Sequence, residues 1–209
     1  ILEEQLLPKA ITTETEEKAE IKAVIGGIRR LVERSETVIR NLLDFSRDKA
    51  PNISSFLLRD VIEQILLLVG KTAQKKKVQI RVSGPEAVQV TSDSGAMQHI
   101  LFNLVLNAID AIEDGGTVEI KYFLTEPGFV IAVEDDGTGI CREHIEKIFN
   151  PFFTTKGPDR GTGLGLYLVY NEVKRLGGKI AVDSASGGPT RFTVRFEHGG
   201  KGEHCDEKR

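Results

Sequence analysis

The stretch Gln98-His99-Ile100-Leu101-Phe102-Asn103-Leu104-Val105-Leu106-Asn107-Ala108-Ile109-Asp110 carries the period of a helix. Met97, Leu101, Leu104, Ala108 and Ala111 form an apolar stripe, while Asn103, Asn107 and Asp110 recur at i, i+4 and i+7 along a polar edge. Two asparagines among so much hydrocarbon are costly to bury without partners, and mid-helix asparagine does little for helix stability. Exposed polarity or N-capping is the plain account of them. A nucleotide with its metal is the sharper one, because a side-chain amide oxygen is a hard donor for Mg2+, which keeps its other positions for phosphate oxygens and water.

Outward from this helix, predicted from Ser94 to Ile112, the pattern changes period. Val78–Val82 and Val88–Val90 alternate as strands, as do Thr117–Leu124 and Phe129–Val133 around Glu126-Pro127-Gly128. A second helix runs from Leu164 to Leu176, closed by Gly177-Gly178, and strands follow over Lys179–Asp183 and Thr190–Phe196. Upstream, Pro51-Asn52 and Ser54-Ser55 read as linker and N-cap for an amphipathic helix from Phe56 to about Lys75. The Lys75-Lys76-Lys77 triplet reads as its solvated C-terminus, favoured there by the helix dipole. The strands outnumber the gaps available for right-handed crossovers. The expected fold is therefore α+β, a helix layer on a mixed, largely antiparallel sheet.

The 209 residues leave room for one ordinary domain and something smaller. A net charge of −3 gives no electrostatic footprint for nucleic acid or an anionic membrane, and no apolar run approaches the length of a membrane span. Cys141 and Cys205 are too few for a disulfide scaffold and too far apart for a metal clip, so a reducing compartment is expected. The smaller part lies at the start. Ile21, Val24, Ile28, Leu31, Val38, Leu42 and Phe45 follow a heptad stripe, with Ser35 in its one polar slot. With Leu2, Leu6 and Leu7 before Pro8, this is a helical hairpin whose first arm is short. Its narrow stripe suits a bundle or dimer, or a helix lying on its own domain. The tail from His198 is polar and expected to be disordered. The chain starts at Ile1 and its only methionine is Met97, which reads as a piece of something longer.

Two glycine-rich runs follow the central helix: Asp136-Gly137-Thr138-Gly139-Ile140, and Gly161-Thr162-Gly163-Leu164-Gly165-Leu166. The second opens a helix, whose backbone N–H groups and dipole suit a phosphate. No P-loop pattern occurs. Leu166 stands where a dinucleotide fingerprint needs its third glycine, and the H-R-D and D-F-G motifs of serine and tyrosine kinases are absent.

Together, Asn103-x-x-x-Asn107-Ala108, Asp136-Gly137-Thr138-Gly139-Ile140, Ile148-Phe149-Asn150-Pro151-Phe152-Phe153-Thr154-Thr155-Lys156 and Gly161-Thr162-Gly163-Leu164-Gly165-Leu166 resemble the N, G1, F and G2 boxes of bacterial sensor histidine kinases. Arg40-Asn41-Leu42-Leu43-Asp44-Phe45-Ser46-Arg47 is similar to the second helix of their dimerisation and phosphotransfer hairpin. The resemblance covers residues 1–197 and is nearest to the nitrogen-regulation-like subgroup. It implies a Bergerat-type two-layer ATP-binding domain over 51–197, a partial hairpin over 1–50 and a tail over 198–209.

Carried over, the resemblance implies that Asn107 binds Mg2+ bridging the ATP phosphates, with Asn103 in support. Asp136 would accept from the adenine amine, with Gly137, Gly139 and Ile140 against the purine. Phe152 and Phe153 would anchor a lid over 154–160, although core packing accounts for them equally well. Thr155, Lys156 and Arg160 would line that lid, the two cations being either phosphate contacts or solvated loop charges. Gly161, Thr162, Gly163, Leu164, Gly165 and Leu166 would close it over the phosphates. Many relatives carry a base where Asp110 stands, which removes one phosphate contact although the position stays in the site.

The phosphoacceptor histidine of the family, expected before the helix beginning near Glu16, is missing: His99, His144, His198 and His204 all stand elsewhere. The resemblance thus implies the ATP-binding part of a histidine kinase that does not autophosphorylate alone, with that histidine upstream of Ile1. It implies a homodimer through the hairpin, a response-regulator receiver domain as partner and a cytoplasmic location, with a membrane anchor elsewhere in the parent left open. The alternatives are an ATP-driven conformational clamp like DNA gyrase B, mismatch-repair ATPases or heat-shock chaperones, and a nucleotide-sensing module without kinase activity.

Overall fold

The computed structural model describes residues 18–19, 21–22, 24–29, 32, 50–157 and 161–197. The chain divides into two compact units, Ile1–Arg47 and Asp48–Arg209. In the first, residues 24–29 are helical, and Ile21, Val24, Ile25, Ile28 and Val32 are each more than half exposed. The rest of the expected hairpin (Leu2 to Pro8, Leu31, Val38 to Arg47) and the tail from His198 lie outside the described residues.

The second unit begins with β1 (Ile53–Leu57) and α1 (Leu58–Lys75), then β2 (Val78–Ser83), β3 (Gln89–Asp93) and α2 (Ser94–Ala111). Next come β4 (Gly116–Thr125), β5 (Gly128–Asp135) and the short α3 (Arg142–Ile145). The unit ends with α4 (Gly165–Arg175), β6 (Lys179–Ser184) and β7 (Thr190–Glu197). Five strands form one mixed sheet in the order β2-β4-β5-β7-β6, with β2 parallel to β4 and every other pair antiparallel. This is the mixed, largely antiparallel sheet that the strand count predicts.

One expectation changes. Pro51 to Ser55 is not linker and cap: Ile53–Leu57 forms β1, paired antiparallel with β3. The serines mislead because they sit on an exposed strand, Ser54 opposite Ser92 and Ser55 opposite Thr91. Helix α1 consequently starts at Leu58, and no side chain caps it.

The core follows from the two periods. Helix α1 buries Leu58, Val61, Ile62, Ile65, Val69 and Ala73 at helical spacing, and α2 buries Met97, Leu101, Leu104, Val105, Ala108 and Ile109. The sheet answers with alternate residues: Val118, Ile120 and Tyr122 on β4, Phe129, Ile131 and Val133 on β5, and Phe192, Val194 and Phe196 on β7. Helix α2 is the centre of the helix layer, touching α1 and α4 as well as β4 and β5. Full burial of each large aliphatic side chain is worth about 1.5–3 kcal/mol, so α2 is the element whose position the core fixes most firmly. The opposite sheet face carries charge, with Arg191 bonded to Glu134 and Lys121 paired with Glu119.

Lys76 departs from the solvated reading. Its ammonium donates to the carbonyls of Ile109, Asp110 and Ile112 at 3.0, 3.0 and 2.9 Å, satisfying orphan acceptors at the C-terminus of α2. Among the described residues no helix is long and apolar enough to cross a membrane.

Candidate functional site

At one end of the sheet the inner face turns polar. Asp135 on β5 stands opposite Thr190 on β7, and Thr190 stands opposite Ser184 on β6. Asp135 and Thr190 are buried. The two hydroxyls lie 2.8 Å apart, and Ser184 Oγ accepts from the Ile140 N–H at 2.9 Å. One Asp135 oxygen accepts from the Gly137 N–H at 3.0 Å. No described residue donates to the other. Burial pushes this carboxyl up to about 6; the Gly137 bond opposes that shift, and the charges of Asp136 and Glu134 add to it.

Asp136, the expected purine-reading carboxylate, faces elsewhere. It is exposed, and both its oxygens accept from the Thr117 N–H, each at 2.9 Å. Its backbone N–H bonds Thr117 O at 3.3 Å, so Asp136 closes the end of the β4–β5 ladder. Strand parity separates the neighbours. Phe129, Ile131 and Val133 point inward on β5, so Asp135 does too and Asp136 does not. The same parity through Phe192, Val194 and Phe196 places Thr190 inward. The sequence reading used neither signal and missed Asp135, Thr190 and Ser184.

The first glycine loop, 136–140, is pinned over this polar row. The Thr138 N–H donates to Ala111 O at the end of α2, at 3.2 Å, and Thr138 O accepts from the Gly187 N–H at 2.8 Å. Gly139 has φ +72°, and a Cβ there would stand 1.9 Å from Ala185 O, so glycine is required on both counts. Ile140 is half-buried against the core.

The second glycine loop meets the same helix at its polar edge. Asn103 Nδ2 donates back to His99 O at 2.8 Å, which turns its Oδ1 toward α4. A Cβ on Gly165 would lie 3.0 Å from that oxygen and 3.8 Å from Asn107 Nδ2. The start of α4 therefore stands over both asparagines, and no side chain caps it. Asp110 is bonded to Lys156 Nζ at 2.7 Å, with Lys76 Nζ 3.9 Å away on its other side.

The segment between is closed on itself. Gly163, at φ +68°, lies so near Phe152 that a Cβ would stand 2.3 Å from its carbonyl carbon, and a Cβ on Gly161 would be 2.7 Å from Thr154 Oγ1. The paired phenylalanines divide the two roles considered for them. Phe153 packs on the core and on His144, whereas Phe152 is 61% exposed at φ +65°. Thr155 is exposed, Thr162 Oγ1 accepts from the Leu164 N–H at 3.4 Å, Leu164 is buried and Leu166 packs on the core. Arg160 lies outside the described residues. Among the described residues no cluster of His, Cys, Asp and Glu could hold a metal. Near the start of α4 the Asn103 amide presents its oxygen and the Asn107 amide its nitrogen; with the Asn107 amide turned over, the pair would offer hard oxygens of the kind that suits an Mg2+ sharing its shell with phosphate.

Residues 92–199 match the family described as histidine kinase-, DNA gyrase B-, and HSP90-like ATPase. The sensor kinase CckA of Brucella abortus is 34% identical over 81% of this chain, and the sensor histidine kinase ZraS of Salmonella typhimurium is 36% identical over 78%. The chain spans 20% and 35% of the length of these two curated relatives. The nucleotide-free catalytic domain of histidine kinase ThkA aligns with a TM-score of 0.64 at 29% identity, covering 70% of this chain and 95% of that one. ThkA in complex with the response regulator protein TrrA aligns with a TM-score of 0.65 at 26% identity, covering 79% and 48%. Residues 92–199 span the asparagine edge of α2 and both glycine loops, and the chain belongs to the histidine kinase-, DNA gyrase B- and HSP90-like ATPase family.

Proposed function

We propose that this chain is the ATP-binding catalytic part of a sensor histidine kinase, which transfers the γ-phosphoryl group of ATP to a histidine for relay to a response-regulator aspartate. One observation carries the reading: an inward carboxylate with an unused oxygen and an uncapped helix start both converge on α2. Asp135, rather than Asp136, accepts from the exocyclic amine of adenine, with Thr190 beside it, and the Gly137–Gly139 backbone lies along the purine. A guanine edge presents a carbonyl at that point and would face the carboxylate acceptor to acceptor. The N–H groups opening α4 receive the phosphates.

Asn107, supported by Asn103, would hold Mg2+ together with phosphate oxygens. When bound, the metal neutralises charge on the β- and γ-phosphates. The protein otherwise contributes positioning, as phosphoryl transfer requires little covalent chemistry from it. The exposed apolar residues Ile21, Val24, Ile25, Ile28 and Val32 suit pairing with a second copy within the 1–50 hairpin, and residues 51–197 form the ATP domain. A receiver domain is the acceptor partner, a reading supported by the ThkA–TrrA complex. The compartment is cytoplasmic.

The test uses γ-labelled ATP, this chain and its longer parent carrying Asn107→Ala, so that the parent supplies the phosphoacceptor but no working nucleotide site. Label is expected on a histidine of the parent, stable to base and labile to acid. Tight Mg·ATP binding without any label would overturn kinase activity and leave the clamp reading.

A further inference from the structure

Position 110 follows Asn107 by three residues, so its side chain lies on the same helix face, within about 5–6 Å at Cβ. The family resemblance implies a basic, phosphate-reaching side chain at this position; the chain has Asp110 instead. The ion pair at this point restores what the sequence lacks. Lys156 Nζ sits 2.7 Å from Asp110 Oδ2, which brings an ammonium from the second glycine segment to the Asn107 edge of α2.

Three features separate this pair from an ordinary surface contact. Both partners are only about one-third exposed (34% and 33%). The Lys156 stem crosses its own loop, with Cβ and Cδ 3.5 and 3.6 Å from where a Gly161 Cβ would stand, so the side chain is held at both ends. Lys76, the other cation beside Asp110, already spends its ammonium on three carbonyls at the end of α2. An ammonium has three donors. Lys156 uses one on Asp110, so among the described residues beside Asp110 it is the cation with N–H groups left to give.

We propose that Asp110 is a positioning residue that holds Lys156 on the Asn107 face of α2, and that Lys156 is the phosphate-binding cation of this site. The proposal rests on the nucleotide reading above. It inverts the expected role of Asp110: an acidic side chain beside a triphosphate supports binding through the lysine that it holds.

Two accounts of Asp110 give opposite signs. If Asp110 merely repels phosphate, Asp110→Asn tightens Mg·ATP. If it holds Lys156, Asp110→Asn weakens Mg·ATP about threefold. In a Lys156→Met background, the same substitution removes a negative charge that only Lys76, at 3.9 Å, still offsets, and tightens binding, so the double-mutant cycle changes sign. Lys156→Met alone is expected to weaken Mg·ATP about tenfold and leave adenosine unchanged. Asp110→Lys placed in that background, with the ammonium on the same helix face, is expected to recover most of the loss. Calorimetry with Mg·ATP and adenosine on the full chain reads each step, and thermal melts check folding. Wild-type ATP affinity in Lys156→Met, tighter ATP binding by Asp110→Asn alone, or no recovery by the double variant would each overturn the proposal while the nucleotide site stands. A wild-type chain that binds neither ATP nor adenosine would instead remove the nucleotide reading and this proposal with it.

Discussion

The two glycine loops both rest on α2, the first at Ala111 and the second at Asn103, but they are held by different means. The first is tied to β5 through Asp135, to α2 through Thr138, to β6 through Ser184 and to the β6–β7 turn through Gly187. The second packs Phe152 against Gly163 and Thr154 against Gly161, seats Phe153, Leu164 and Leu166 on the core, and reaches α2 through the Lys156–Asp110 pair and the start of α4. Backbone bonds to several core elements open only when the core opens. A loop held by side-chain packing and one partly exposed ion pair opens at lower cost than that. The end of the site proposed for the base is thus bonded to several core elements, and the end proposed for the phosphates to fewer.

The largest effect expected from this contrast lies at the end proposed for the base. Asp135→Asn should weaken ADP at least about 100-fold by calorimetry, equivalent to about 2.7 kcal/mol, because it puts a donor where the buried acceptor must be. Asp136→Asn should stay within about threefold, since its oxygens serve the Thr117 N–H at the ladder end. Equal losses in both variants would break the assignment of the base site to the inner face.

A pair of alanines separates the loops by what they disturb. Gly139→Ala forces an L-residue to φ +72° against Ala185 O, and left-handed strain alone costs about 1–3 kcal/mol. At about 2–4 °C per kcal/mol for a domain of this size, the melting temperature should fall by roughly 5–10 °C. Gly163→Ala meets a comparable conflict with Phe152, yet it lies in a segment held by side-chain packing and one ion pair. Its melting temperature should move by no more than about 2 °C while Mg·ATP affinity falls about tenfold. A large thermal loss in Gly163→Ala would show the second segment to be as deeply tied as the first.

Proton linkage sharpens the base end further. The folded carboxyl of Asp135 titrates near 6, above its ordinary 3.8. The stability gained from its bound proton is therefore present below about pH 4 and lost as pH rises through 6. Asp135→Asn should match the wild-type protein at pH 4 and exceed it by about 3 kcal/mol at pH 7.5 in urea melts. ADP binding to the wild type needs the charged acceptor, so its affinity should be level above pH 7 and fall up to about tenfold per unit below 6. That slope should vanish in Asp135→Asn. A wild-type affinity level from pH 7 to pH 5 would mean that Asp135 does not accept the base.

What could be read from the chain tracks how local its causes are. The α2 helix, the strands β4 to β7 and both glycine loops announce themselves through period and turn chemistry, and the family motifs lie in them. Strand β1 did not, because its partner β3 lies a whole helix away and its serines look like caps. Asp135 was legible in principle, by extending the alternation of Phe129, Ile131 and Val133 by one step, but two adjacent aspartates hid the choice. Lys76 and the Lys156–Asp110 pair were not legible at all. Their partners stand 33 to 46 residues away, and only the folded helix layer brings them together.

The smallest expected effect has the opposite sign and tests the inner sheet face itself. That face is polar at the Asp135 end, where Asp135 and Ser184 accept from the first loop and Thr190 bonds Ser184. Two inward positions further along β4 from Val118, the partner of Asp135, stands Tyr122. It is 1% exposed, and its hydroxyl hydrogen-bonds to nothing among the described residues. A buried polar group without a partner costs stability, whereas one that awaits a ligand returns its cost on binding. Tyr122→Phe should therefore raise stability by about 0.5–1 kcal/mol in urea unfolding, with nucleotide affinity unchanged, in contrast to Asp135→Asn, which stabilises the free protein and loses the nucleotide. A Tyr122→Phe variant with weakened ADP binding would place a working polar group in the apolar half of the sheet and dissolve the boundary between the two.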